Sequence, residues 1–222
     1  ALDSLLALAV DLADRAARRH RQGGIGDLAT KSSVTDPVTE VDRDSEALIV
    51  SGIRSARPRD GILGEEGASV DGVTGLRWII DPLDGTVNYL YGIPCHAVSI
   101  SVEEHGVPIV GVVHDTAHDE VFAARRGGGA TFGGRPIRGS DVTSLSSTLL
   151  GTGFGYDAQQ RHRQGRVLAE LIGQVRDIRR AGSCAVDLCW AAMGRLDAFY
   201  ETGPNRWDVS AGMIIVREAG GV

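Results

Sequence analysis

The sequence predicts an α+β protein built in layers, and three observations carry that reading. Apolar residues recur at helical spacing near the start of the chain. From residue 61 the period changes to short β-rich runs punctuated by Gly, Pro and Asp. Helices and strands then come in blocks rather than in the strict alternation of a doubly wound parallel fold.

Taken in chain order, Leu5, Leu8, Ala9, Leu12, Ala13 and Ala16 predict an amphipathic helix over residues 2–21, with Asp and Arg between them. The polar stretch KSSVTDPVTEVD follows. Its Asp36-Pro37 step disfavours helix, so a loop or hairpin is expected, with Thr39 or Asp42 as N-cap of a second helix over 42–56. The runs GILGEE, LRWIID, AVSISVE, VPIVGVV and EVFAA predict a sheet of mostly antiparallel strands, and RRGGGATFGGRP a turn or hairpin. Beyond them the pattern predicts a strand at TLLGTGF, a helix over 159–175, a strand at 176–180, a helix over 185–193, a strand at 196–201 and a helix over 207–218. GFGY at 153–156 follows a strand but lacks the spacing of a dinucleotide fingerprint.

Composition narrows the function. With 222 residues, 42% hydrophobic and 23% charged, the chain reads as one globular unit, a single domain over 1–222. Asp3, Asp11 and Asp14 interrupt the apolar N-terminal stretch, so no membrane span is expected. Cys95, Cys184 and Cys189 are odd in number and form no CxxC pair, which predicts reduced thiols and a cytoplasmic protein. A net charge of −6 argues against direct nucleic-acid binding. It leaves room for an anionic substrate, because clustered carboxylates hold divalent cations that present positive charge to a phosphate.

The chemistry concentrates in four segments. In WIIDPLDGTVN (78–88) a buried-looking strand ends in Asp81 and is followed by Pro82, Asp84, Gly85 and Thr86. Pro82 stiffens the turn, and Gly85 lets the backbone approach a phosphate with the Gly85 and Thr86 N–H groups as donors. GEE at 64–66 offers Glu65 and Glu66 where another apolar run stops. WDVSAG at 207–212 sets Asp208 at a helix N-terminus, and DPVTEVD sets Asp36, Thr39 and Asp42 around a turn preceded by Lys31. Each segment alone is as well explained by helix capping or by a solvated charge pair.

In this order the four segments, with RRAGSCAVDLC and LDAFYE between the last two, resemble the inositol monophosphatase family over nearly the whole chain. The resemblance implies a layered αβαβα sandwich, a homodimer, and Mg²⁺-dependent hydrolysis of a small phosphorylated polyol or sugar, inositol monophosphate in first place. It also implies lithium sensitivity. By the same resemblance Glu65, Asp81 and the Leu83 carbonyl hold a first Mg²⁺, and Asp81, Asp84 and Asp208 a second. Glu65 and Thr86 orient the attacking water, with Thr86 hydrogen-bonded to Asp42. The Gly85 and Thr86 N–H groups hold the phosphate, and Asp84, the Cys184 backbone, Glu201 and Asp208 meet the hydroxyls of the leaving group. Lys31 stands at the family's lysine position. Val87 replaces the second Thr of a common GTTN version, and the chain stops where the family pattern continues with another strand and helix, which suggests a truncated C-terminus.

Related phosphatases acting on histidinol phosphate, fructose 1,6-bisphosphate or a 3'-phosphonucleotide share the metal residues. Some bacterial members also act as protein partners of the transcription machinery, for which the arginines between 161 and 166 are a candidate surface, though a solvated helix face explains them as well. Three features are set aside: His114 and His118 as flanks of a strand turn, Cys95 and His96 as strand neighbours facing opposite ways, and the Trp207 ring as core packing beneath Asp208.

Overall fold

The computed structural model describes residues 2–23, 29, 30 and 37–222. Two N-terminal helices, α1 (Leu2–Gln22) and α2 (Glu40–Ala56), each bury one apolar stripe, Leu5, Ala9, Leu12, Ala13 and Ala16 on the first and Ile49 and Ile53 on the second. Thr39 rather than Asp42 is the N-cap of α2. Its hydroxyl accepts the Asp42 N–H while the Asp42 carboxylate accepts the Thr39 N–H, a capping box. Between the helices, where a loop or hairpin is expected, β1 (Ala29–Thr30) and β2 (Pro37–Val38) pair antiparallel. Lys31 and Asp36 lie outside the described residues.

The main sheet comprises β3 (Gly61–Gly64), β4 (Ser69–Val70), β5 (Leu76–Asp84), β6 (Ala97–Glu104), β7 (Val107–Asp115), β8 (Glu120–Arg125), β9 (Ala130–Phe132) and β10 (Arg135–Pro136). Their order is β10-β9-β8-β7-β6-β5-β3-β4, with β3 parallel to β5 and the remaining neighbours antiparallel. RRGGGATFGGRP supplies the two turns around β9, as expected. The strands β6 and β7 are buried along most of their length because both their faces are covered; β7 reads as a nearly unbroken apolar run, whereas β6 alternates apolar residues with Ser99, Ser101 and Glu103. On one face α1 and α2 enclose a core with Trp78, Ile80, Ile100 and Val112. On the other, Val113 and Phe122 pack with α5 (Cys184–Ala192) and α6 (Arg206–Glu218) through Val186, Cys189, Ala211 and Ile215.

A second sheet of β11 (Leu149–Thr152), β12 (Asp177–Arg179) and β13 (Ala198–Tyr200) has the order β12-β11-β13 and is parallel throughout. The strands fall where the sequence predicts them, but their parallel pairing does not follow from it. The helix α4 (Ala158–Leu171) connects β11 to β12, and α5 connects β12 to β13 by a step in the opposite direction. Because crossovers between parallel strands are right-handed, these two helices sit on opposite faces of the small sheet. The layers are therefore helix, sheet, helix, sheet, helix, as the resemblance implies.

Candidate active site

The ends of β3 and β5 and the N-termini of α5 and α6 meet at a cavity of about 430 Å³. Glu65, Asp81, Leu83, Asp84, Gly85, Thr86, Cys184, Glu201 and Asp208 all line it. A local irregularity makes this possible. In a regular strand residues three apart face opposite ways. Here Asp81 pairs with Ser99 and Asp84 with Ala97, so β5 carries one extra residue against β6, and this bulge returns both carboxylates to the same side. The strand thus runs on through Asp84 rather than ending at Asp81.

Asp81 is 1% exposed, and its Oδ1 accepts the Leu83 N–H at 3.1 Å. Burial, then the nearby charges of Glu65, Asp84 and Asp208, push its carboxyl well above the usual range. Asp84 is raised to about 6, chiefly by burial; hydrogen bonds from the Ser183 hydroxyl at 2.6 Å and the Ala185 N–H at 2.7 Å work against that rise. The first turn of α5 is thus aimed at Asp84, and its Cys184 N–H also works against the rise. Burial, with the charge of Asp84, lifts Asp208 to about 8 and Glu201 to about 7. Asp208 occupies the third position of α6, where its carboxylate accepts the Asn205 N–H. The neighbouring Cys184 side chain works against the rise of Glu201, and the Glu201 carboxylate fills space that only Gly153 leaves open, since a Cβ there would stand 2.1 Å from Glu201 Oε2.

Gly85 has a φ of +90°, and a Cβ at this position would lie 2.9 Å from the Cys95 carbonyl, which accounts for glycine here. It precedes α3 (Thr86–Tyr91), whose first residue gives its hydroxyl to Asp42 Oδ1 or to the Leu83 carbonyl, each 3.0 Å away. Asp42 Oδ2 is held meanwhile by the Thr39 N–H and hydroxyl. Asp42 therefore both caps α2 and orients Thr86.

The donor set fits a hard divalent cation. Its groups are carboxylate oxygens and a backbone carbonyl, held away from water close enough for like charges to oppose ionisation, and a cation relieves that cost. Among the described residues no three acidic, histidine or cysteine side chains are drawn into a ready-made cage. Mg²⁺ keeps several waters and takes phosphate oxygens, so it needs no such cage.

Some residues at the site escape the sequence reading. Glu46, on α2, is buried and accepts the Glu66 N–H at 2.9 Å and the Ala68 N–H at 3.0 Å, so it shapes the turn that carries Glu65. Ser183 and Asp187 belong to the RRAGSCAVDLC segment but carried no signal of their own. Asp187 lines the cavity, is buried, and is pushed up to about 8 by burial and the charge of Asp84. GFGY, set aside as a dinucleotide motif, forms one wall. Trp207 also contributes to the cavity lining, and its indole nitrogen is buried. Cys95 and His96 precede β6 rather than lying in it, and burial raises the Cys95 thiol out of reach of any dyad role. His114 and His118 flank the β7–β8 turn as expected, bonded to Asp119 and Asp115.

These shifts predict how the metal-free protein responds to pH. A carboxyl whose folded pKa is raised contributes stability below its unfolded pKa and loses that contribution as pH rises through the folded value. For Asp84, Glu201, Asp187 and Asp208 that loss begins near their ordinary values, about pH 4, and is complete at about pH 6, 7, 8 and 8 respectively. The melting temperature in EDTA is expected to fall by about 5 °C or more between pH 6 and 8.5, and saturating Mg²⁺ to remove most of the fall. A flat metal-free profile by scanning calorimetry would refute the electrostatic account of the site.

The family model described as "Inositol monophosphatase family" matches residues 1–222. The chain is 47% identical over 206 residues to the inositol-1-monophosphatase SuhB of Mycobacterium tuberculosis strain H37Rv, covering 89% of this chain and 71% of that protein. It is 45% identical over 192 residues to the Nus factor SuhB of Xylella fastidiosa, covering 86% and 70%. Among solved structures, the extragenic suppressor protein suhB of Bartonella henselae superposes with a TM-score of 0.93 at 36% identity, covering 98% of this chain and 85% of that one.

Proposed function

Because this chain belongs to the inositol monophosphatase family, we propose that it hydrolyses inositol monophosphate to inositol and phosphate with Mg²⁺ as cofactor. The single observation that carries the reading is the convergence of Glu65, Asp81, Asp84 and Asp208 on one cavity, where burial opposes the ionisation of the three aspartates. Glu65, Asp81 and the Leu83 carbonyl would hold one ion, and Asp81, Asp84 and Asp208 another. Bound there, the ions supply positive charge against the phosphoryl oxygens and the leaving alkoxide.

The protein's own groups then have separable tasks. With its proton given to Asp42, the Thr86 hydroxyl oxygen turns lone pairs toward the cavity and accepts a hydrogen bond from the attacking water. Glu65 is the second group that holds this water. The backbone at Gly85 and Thr86 receives the phosphate, and the left-handed Gly85 lets it approach. On the other side of the cavity, Glu201, Asp208 and the first turn of α5 around Cys184 receive the polyol hydroxyls.

The test is phosphate release from inositol 1-phosphate with and without Mg²⁺, beside histidinol phosphate, fructose 1,6-bisphosphate and a 3'-phosphonucleotide, compared by kcat/KM. The expected result is Mg²⁺-dependent turnover, highest on inositol 1-phosphate and inhibited by millimolar Li⁺. Turnover greatest on one of the other three would move the substrate assignment. The reading includes a cytosolic homodimer. All three cysteines are free thiols, and no helix among the described residues is long and apolar enough to cross a membrane.

A second reading, a partner protein of the transcription machinery, is favoured by the similarity to the Xylella fastidiosa Nus factor. Capture of RNA polymerase that persists in an Asp81→Asn variant would support a role separate from catalysis.

A further inference from the structure

One peptide unit in the proposed metal loop is clamped at both ends. The amide between Pro82 and Leu83 gives its N–H to Asp81 Oδ1 at 3.1 Å, and its carbonyl receives a hydrogen bond from His20 Nε2 at 2.9 Å. His20 lies in the last turn of α1, 62 residues away, and is 3% exposed. The clamp falls inside the bulge between Asp81 and Asp84, where β5 slips out of register with β6. Proline fixes its own φ, so this amide plane turns mainly about the Pro82 ψ and the Leu83 φ, and a donor on the Pro82 carbonyl removes that freedom.

The proton positions follow from the partners. A carbonyl only accepts, so His20 Nε2 carries a proton. Burial, reinforced by neighbouring His96, holds the His20 pKa down to about 3, so the ring is neutral near pH 7 and Nδ1 is bare. Nδ1 lies 3.1 Å from Thr116 Oγ1, which gives it the hydroxyl proton. His96 Nδ1, 2.8 Å from the same oxygen, must then donate. The chain of donors runs one way, from His96 through Thr116 and His20 to the Pro82 carbonyl, and across the amide to Asp81.

We propose that His20 is a positioning residue for the metal site: it fixes the Pro82–Leu83 amide and so aims the Asp81 carboxylate and the Leu83 carbonyl. The inference rests on the reading of Asp81 and Leu83 as Mg²⁺ ligands. His20 touches neither substrate nor ion and acts through the loop.

The test compares two amides of different reach. In His20→Gln the side-chain nitrogen falls near the Nε2 position and keeps a donor for Pro82; in His20→Asn it falls near Nδ1 and does not reach. Mg²⁺ binding by isothermal titration calorimetry is expected to weaken about 10-fold in His20→Asn and to stay within about threefold of wild type in His20→Gln. Tyr89→Phe is the stability control. It removes the hydroxyl that bonds the His20 and Gly23 carbonyls while leaving the His20 ring in place, so it should lower the melting temperature without changing Mg²⁺ affinity. Should His20→Asn fail to fold, Thr116→Val, which strips the donor from Nδ1, takes its place with a smaller weakening expected. Asn and Gln variants that bind Mg²⁺ alike, a Thr116→Val variant that binds as wild type, or a Tyr89→Phe variant that loses affinity in step with its stability would overturn the inference. A wild type that takes up no Mg²⁺ overturns the ligand reading and this inference with it.

Discussion

Asp81→Asn is expected to lower phosphatase turnover by about 10³-fold or more, equivalent to roughly 4 kcal/mol of barrier, while leaving the metal-free protein as stable as wild type or more so. The two readouts move apart for one physical reason. Asp81 is buried, and the charges of Glu65, Asp84 and Asp208 oppose its ionisation, so in the absence of a cation the carboxylate is a cost to the fold. Asparagine has the same shape and keeps an oxygen for the Leu83 N–H, but it brings no charge. A proposed ligand shared by both ions becomes a weak neutral donor, so Mg²⁺ should no longer raise the melting temperature as it does in wild type. The check is a pair of melts, with EDTA and with Mg²⁺, beside a single-turnover assay. An inactive variant that is also strongly destabilised without metal would make Asp81 structural instead, and an active one would remove it from the chemistry.

Much of this site was legible because its signals are local. Asp81, Asp84, Gly85 and Thr86 fall within one short segment, and the apolar stripe of α1 repeats often enough to declare its buried face. What stayed hidden depends on pairing across the chain. The bulge that brings Asp81 and Asp84 to one side is a relation between β5 and β6, and no residue within β5 announces it. Glu46 is one of several acidic residues on α2, and only its contact with a turn some twenty residues later sets it apart. Asp187 lies in an apolar helical run, where a single Asp reads as an exposed face until the cavity beside it is seen. The parallel pairing of β11, β12 and β13 was unreadable for a similar reason. Strands of three or four residues carry almost no periodicity, and their order is set by the crossovers through α4 and α5.

Thr86→Val is expected to reduce kcat by about 10²- to 10⁴-fold, the range for losing a positioned proton-transfer group, with Mg²⁺ affinity and KM changed far less. Valine matches threonine in shape and keeps the backbone N–H, so phosphate binding by the loop should survive. What disappears is the hydroxyl between Asp42 and the cavity. That hydroxyl donates to only one acceptor at a time, and the choice sets its function. Bonded to Asp42, whose charge makes it the stronger acceptor, it leaves lone pairs for the water; bonded to the Leu83 carbonyl, it would occupy a proposed metal ligand instead. Thr86→Ser restores the hydroxyl and should restore most of the rate. Asp42→Asn tests the polarity of the same link, because an amide in that position can offer Thr86 a proton rather than accept one, turning the hydroxyl toward Leu83. Its expected signature is a lower kcat together with weaker Mg²⁺ binding, whereas Thr86→Val lowers kcat alone. Equal losses of Mg²⁺ affinity in both variants would mean that Thr86 and Asp42 support the metal loop and have no separate part in activating water.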